Sequence, residues 1–215
     1  GAMGKWGLGY PGSEGDPNNQ GFDHFFGYNC QREAHEYYPA HLWRNDKKVM
    51  LEGNANGKQG QYSHDLIAEE ALWFLREYHK QPFFLYVPFT TPHTKFQVPD
   101  LGPYKDKDWA EELRIHAAMI TRMDGDVGRI MALIKELGVE DNTIVFFASD
   151  NGPHGGGGTY GFFKNAGPLR DKKGSMYEGG IRVPLIARWP GRVAAGSESR
   201  LACGFQDMLP TMAEL

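Results

Sequence analysis

An α/β fold, a sheet with helices on its faces, is the class this sequence predicts, because helix followed by strand recurs along the chain. An amphipathic stretch from about 63 to 79 runs into the apolar segment Phe83 to Val87, and a second, carrying Ile115 to Leu137, runs into Ile144 to Ala148. Both apolar runs stop at residues able to do chemistry, His93 in one case and Asp150-Asn151 in the other. Ligands of open α/β sheets sit outside the carboxyl ends of the strands, so these stops are the first places to look for a site.

Residues 1 to 62 are rich in Gly, Asn, Pro, Tyr and His with no sustained period, and they read as irregular chain with short strands at most. From Ser63, apolar Ile67, Ala71, Phe74 or Leu75 and Tyr78 recur at helical spacing, with Asp65, Glu69 and Glu70 toward the N-terminal end. Phe83 to Val87, bounded by Pro82 and Pro88, fits a buried strand. Ile115, Met119, Met123, Val127, Ile130, Ile134 and Leu137 predict a long helix that Gly138 stops. A further strand is expected over Ile144 to Ala148 and another over Val183 to Trp189, with Gly-rich polar chain from 152 to 181 between them. Asp207 to Leu215 reads as the first turns of a helix. No repeat and no Pro/Ser linker divides the chain, so one domain or a piece of one is expected.

The composition is 40% hydrophobic and 23% charged, an ordinary globular mix that excludes a disordered tail. No stretch approaches 18 uninterrupted apolar residues, so no membrane-spanning helix is expected. Lys+Arg number 23 against 27 Asp+Glu, a formal charge of -4, which removes the broad electrostatic case for nucleic acid. With 28 glycines among 215 residues, about twice the usual share of roughly 7%, a loop-rich enzyme is the expectation. Two cysteines, Cys30 and Cys203, permit at most one disulfide. The opening Gly1-Ala2-Met3 reads as a cloning remnant, and the N-terminus shows no secretory-signal pattern.

Gly7-x-Gly9-x-x-Gly12 matches the dinucleotide glycine pattern but lacks a preceding strand and contains Pro11. There is no phosphate-loop motif and no zinc-ligand spacing. Asp150-Asn151 offers two hard oxygen donors that suit Ca²⁺ or Mg²⁺, while the same residues before Gly152 also fit a capped turn. A hard cation takes six or more ligands, so two residues are not a whole site. His93, after Pro92, is either a structural histidine or a catalytic one. Gly155 to Gly158 reads as a mobile loop over a site or a phosphate nest, and Lys173, beside Lys172, reads on its own as solvated surface, with Lys5 beside Trp6 similarly ambiguous.

Taken together, GKWGLG at 4–9, QGFDHFFGY at 20–28, PFFLYVPFTTPH at 82–93, MDGDVGRIM at 123–131, NTIVFFASDNGPH at 142–154, GPLRDKKGSMYEGGIRVPLIARWPG at 167–191 and QDMLPTMAEL at 206–215 resemble a type I, formylglycine-dependent sulfatase, arylsulfatase-like, of the alkaline phosphatase superfamily. The resemblance implies a mixed, mostly parallel sheet with helices on both faces, here incomplete, and makes 4–215 a partial sulfatase catalytic domain. It implies hydrolysis of sulfate monoesters, with Lys5, His93, Lys173 and Asp150 catalytic and Asp150 and Asn151 holding Ca²⁺, or Mg²⁺ in its place. Sulfate contacts would come from Lys5, His93 and Lys173. The implied substrate is a sulfated small molecule or sulfated glycan, and the implied location of the parent protein is periplasmic or extracellular.

Two departures shape the reading. Gly7 stands where the family motif commonly has histidine, and the expectation is that His35 or Arg32, from the cluster Gln31, Arg32 and His35, partly replaces it as a substrate contact. The family's formylglycine comes from a C/S-x-P/A-x-R signature, which neither Cys30 nor Cys203 fits, so the chain reads as a fragment lacking its nucleophile segment and inactive as it stands. The runners-up are a phosphodiesterase or phosphonate monoester hydrolase of the same superfamily, and a non-catalytic sulfated-glycan-binding domain stacking sugars on Tyr37, Tyr38, Trp43 and Tyr160.

Overall fold

The computed structural model describes residues 1–215. Its first fifty residues, irregular to sequence patterning, hold four strands of four residues each: β1 (Ala2–Lys5), β2 (Phe25–Tyr28), β3 (His41–Arg44) and β4 (Lys47–Met50). They form one sheet in the order β1-β2-β3-β4. β1 and β2 pair in parallel across the long connection 6–24, whereas β2, β3 and β4 are antiparallel. The expected mostly parallel sheet is therefore corrected. A two-residue connection, Asn45-Asp46, can only join antiparallel strands, and Asn45 supplies the left-handed φ of 51° that the tight turn needs. Its Oδ1 also accepts the Phe25 N–H at 2.8 Å, fastening the turn to β2.

The apolar run 83–87 lies along the free edge of β1 as an extended segment in parallel register. Tyr86 N donates to Gly1 O, Met3 N to Tyr86 O and Lys5 N to Pro88 O, each at 2.9 Å. Pro88 has no N–H, so it accepts from Lys5 without returning a bond of its own to β1. Only one face of this segment is covered: Phe83, Leu85 and Val87 pack on the core while Phe84 and Tyr86 are exposed, so the expected buried strand is an edge with one wet side.

Helix α1 (Ser63–Tyr78) turns Ile67, Ala68, Ala71, Leu72, Phe74 and Leu75 inward, and helix α2 (Glu111–Glu136) ends at Leu137 with Gly138 at φ 71°. α1 packs against β1 and β2, and α2 packs against α1; the expectation of helices on both faces is not what these contacts draw. One core, of Met3, Phe26, Tyr28, Leu42, Ile67 and Phe74 among others, lies between the sheet and α1. A second, of Leu72, Leu75, Leu133 and Ile134, joins the two helices. Arg122 grips the Asp65 carboxylate with two bonds of 2.6 Å across the same interface.

After α2 come β5 (Val145–Ala148), α3 (Thr159–Phe163), α4 (Glu178–Ile181), β6 (Leu185–Arg188) and α5 (Met208–Glu214). β5 and β6 pair with each other, antiparallel, in a separate two-stranded sheet. No helix is long and apolar enough to cross a membrane.

Candidate active site

Backbone geometry sets the origin of the site. Gly4 in β1 and Gly27 in β2 sit opposite each other with φ of 142° and 149°, a region open to glycine alone in practice. A Cβ on Gly27 would strike the Gly4 carbonyl, and one on Gly4 would strike that of Pro88. Lys5 follows directly, at the carboxyl end of the parallel strands.

His93 emerges from the end of the extended segment 83–90. Its carbonyl accepts the Tyr37 hydroxyl at 3.0 Å, and its Nδ1 donates to Thr94 O at 2.5 Å, which leaves Nε2 as the free ring atom. Two residues earlier, the hydroxyl of Thr91 meets Nδ1 of His64 at 3.1 Å. The Nε2–H of His64 donates to Asp126 Oδ2 at 3.0 Å, and Arg129 donates to the other oxygen at 2.9 Å. His64 and Asp126 are buried, so this chain of bonds ties α1, α2 and the His93 segment at one point. Burial pushes the Asp126 carboxyl up, but the hydrogen bonds from His64 and Arg129 outweigh it and hold the group below the usual aspartate range. Ser63-His64-Asp65 reads in sequence as a polar first turn, and Asp126 and Arg129 lie within MDGDVGRIM; neither stretch signals the contact between them.

The structure brings five of the expected site residues together. The His35 ring lies flat on that of His93, with centroids 4.4 Å apart and planes 8° from parallel. Burial lowers the His35 pKa, and the charges of His93, Lys5 and Lys173 lower it further. Burial likewise lowers Lys5, with Lys173 pushing in the same direction and Asp150 opposing. Lys173 is held by its backbone N–H on Pro153 O at 3.0 Å. Neither Lys5 nor Lys173 forms an ion pair.

Other expected residues stand apart. Arg32 is exposed and its guanidinium makes no hydrogen bond or ion pair. Gly7, at φ 73°, has its side-chain space taken by the carboxamide oxygen of Gln31, so Gln31 occupies the ground beside Gly7 while His35 lies against His93. Tyr37 is 1% exposed, a core residue and no platform for sugar. Tyr160 stands beside Lys172, whose ammonium is 5.3 Å from its ring.

Asp150 and Asn151 leave the end of β5 as expected. The Asn151 Nδ2 donates to Gly152 O at 3.0 Å, which turns Oδ1 free, and the Asp150 carboxylate has no hydrogen-bond partner. They present two hard oxygens, but no group of three His, Cys, Asp or Glu residues is arranged to hold a metal ion, so this chain's residues fall short of a complete cation shell. Sequence reading passed over two neighbours. Asp150 raises the pKa of Tyr86, after burial, and His154 also stacks on His93, with centroids 6.0 Å apart. His154 was visible inside the Asp-Asn-Gly-Pro-His run; its nearness to His93 was not.

The family profile described as Sulfatase matches residues 1–215. N-acetylgalactosamine-6-sulfatase of Mus musculus is 32% identical over 231 residues, covering 99% of this chain and 42% of the relative. Arylsulfatase of Hemicentrotus pulcherrimus is 31% identical over 239 residues, covering 100% and 40%. The solved structure of Ps i-CgsB in complex with k-i-k-neocarrahexaose superposes with a TM-score of 0.75 at 30% identity, over 91% of this chain and 45% of that one. The chain spans about two-fifths of the length of the curated relatives it matches.

Proposed function

The chain belongs to the sulfatase family, and from that premise we propose that its site binds the sulfate monoester of a sulfated saccharide and carries the anion-stabilising part of a sulfuric ester hydrolase. The observation that carries this reading is the gathering of Lys5, Lys173 and the stacked His35–His93 pair at the strand ends, with both ammonium groups unpaired by any carboxylate. Cationic donors fixed in advance stabilise charge that spreads over the sulfate oxygens as the ester bond breaks. His93, with its free Nε2 aimed by the Thr94 bond, is the proton carrier for the departing alcohol. Asp150 and Asn151 contribute two oxygens to a Ca²⁺ or Mg²⁺ site whose remaining ligands are not among these residues; bound there, the cation would neutralise charge on the sulfate. The nucleophile, a formylglycine in this family, has no C/S-x-P/A-x-R signature here to come from, so these 215 residues bind the ester without turning it over. The names of the mouse relative and of the k-i-k-neocarrahexaose complex support a saccharide as the alcohol.

Two measurements test the proposal. Calorimetric titration with inorganic sulfate should show binding that Lys5→Ala and Lys173→Ala each weaken by about tenfold or more, as for loss of a charge-assisted hydrogen bond. A chromogenic aryl sulfate with Ca²⁺ should show no turnover; turnover abolished by Asp150→Ala would show the chain complete. Tighter binding of a phosphate ester than of its sulfate counterpart would replace the sulfatase reading.

A further inference from the structure

His154 stands three residues after Asn151, and the Gly156 N–H donates to its Nδ1 at 2.9 Å. A ring nitrogen that accepts an N–H carries no proton, so the ring proton sits on Nε2 and the imidazole is neutral. The Nε2–H has no partner in the protein. Burial, then the charges of His93, Lys173 and Lys172, all act to keep the ring from protonating. His35, His93 and His154 thus form a row, with His93 in the middle at 4.4 Å from one neighbour and 6.0 Å from the other.

The loop that holds His154 is shaped around it. A Cβ on Gly156 would come within 2.9 Å of His154 Nδ1 and 3.0 Å of the Thr94 methyl, so a side chain there would have to displace the ring or the residue after His93. A local loop tie would need the Nδ1 bond alone. Here the other ring nitrogen is left without a partner on a ring near His93, Lys173 and Lys172, whose charges disfavour a further positive charge but not a neutral donor.

From this arrangement we infer that His154 is a specificity-determining residue whose neutral Nε2–H donates to an uncharged oxygen of the saccharide, while Lys5 and Lys173 take its sulfate. Ammonium groups match the anionic terminal oxygens of the ester; a neutral N–H matches a hydroxyl, ring or amide oxygen at far lower desolvation cost. The inference rests on the sulfated-saccharide reading above and adds to it the group that distinguishes sugar ester from free sulfate.

The test uses the 215-residue chain, two ligands and two readouts. Long-range ¹H–¹⁵N NMR of the histidine rings should find His154 in the Nε2–H form. In titrations with inorganic sulfate and with N-acetylgalactosamine 6-sulfate, His154→Ala should weaken the sugar ester about tenfold and leave sulfate within about twofold, the loss expected for one neutral hydrogen bond. His154→Gln, whose amide N–H can stand in for Nε2–H, should restore most of the difference, and Gly156→Ala should reproduce the loss by displacing the ring. An Nδ1–H tautomer, equal weakening of both ligands, no weakening of either, or sulfate bound as tightly as the sugar ester each overturn the inference and leave the sulfate site standing. Failure of the wild-type chain to bind either ligand overturns the sulfate reading and the inference with it.

Discussion

Residues 1–137 and residues 143–215 contribute to the same site but are built differently. Every buried hydrophobic side chain lies in the first region, the last of them Ile134, and all three core clusters are there. The second region keeps Phe147, Leu185, Ile186, Leu209 and Leu215 exposed, and its most buried positions are Gly152, Thr159, Gly179 and Gly180. Lys5, His35 and His93 therefore stand on a packed body, whereas Asp150, Asn151, His154 and Lys173 stand on a region held chiefly by backbone hydrogen bonds, such as Gly152 N to Gly180 O and Gly179 N to Arg170 O. The lesson is that the two halves of one anion site draw on different sources of rigidity, and substitutions should reveal which.

The largest difference should come from paired truncations. Leu72→Ala, at a position 2% exposed between α1 and α2, should cost about 2–5 kcal/mol in urea unfolding, while Ile186→Ala, 58% exposed on β6, should cost less than about 0.5 kcal/mol. Equal costs would erase the contrast.

A middle-sized effect belongs to the buried network that holds Thr91. Asp126→Asn should cost about 1–3 kcal/mol by leaving His64 and Arg129 poorly matched. It should also change the acid limb of the stability curve. Because the folded Asp126 is held below its ordinary value, its contribution is present above the unfolded aspartate pKa and is lost as pH falls through the lower, folded one. The variant should flatten stability in that acid window, read by denaturant titrations at stepped pH. Amide exchange should quicken in α1 and α2 and leave 145–188 unmoved; faster exchange only in the latter would place the network in the wrong region.

The smallest effect should come from Lys95 and Glu36, an exposed pair at 2.6 Å. Lys95→Ala should change stability by less than about 1 kcal/mol and fade with added salt. A larger loss would mean that the loop carrying His93 depends on its surface charges.

The body's helices were legible because their spacing repeats often enough to be seen: α2 carries its apolar positions over seven turns and ends at a glycine. β1 to β4 were not, since four residues give no alternation to count, and Phe25 to Tyr28 are buried on both faces. The direction of their pairing depended on a two-residue connection whose role shows only once Arg44 is seen opposite Lys47. In the site, Lys5, His93, Asp150, Asn151 and Lys173 could be named from motifs because each sits at a strand end or in a distinctive turn. His154, His64 and Asp126 could not, since their meaning lies in contacts between distant segments. Gln31 stands in the sequence only as one of a polar cluster, and the side-chain space at Gly7 that its carboxamide fills is what assigns its place.

The glycines at the strand crossing have one more consequence. Gly4 and Gly27 leave three backbones at one level, Gly27, Gly4 and Pro88, with no side chain between them. The position of the Lys5 backbone is thus set by peptide against peptide, where natural variation has little repertoire to draw on: a side chain at Gly4 or Gly27 would strike main chain and not a side chain that could change. Drift can repack the core beneath this crossing over evolutionary time, yet the anchor of the anion site stays a fixed reference, inherited whole or lost.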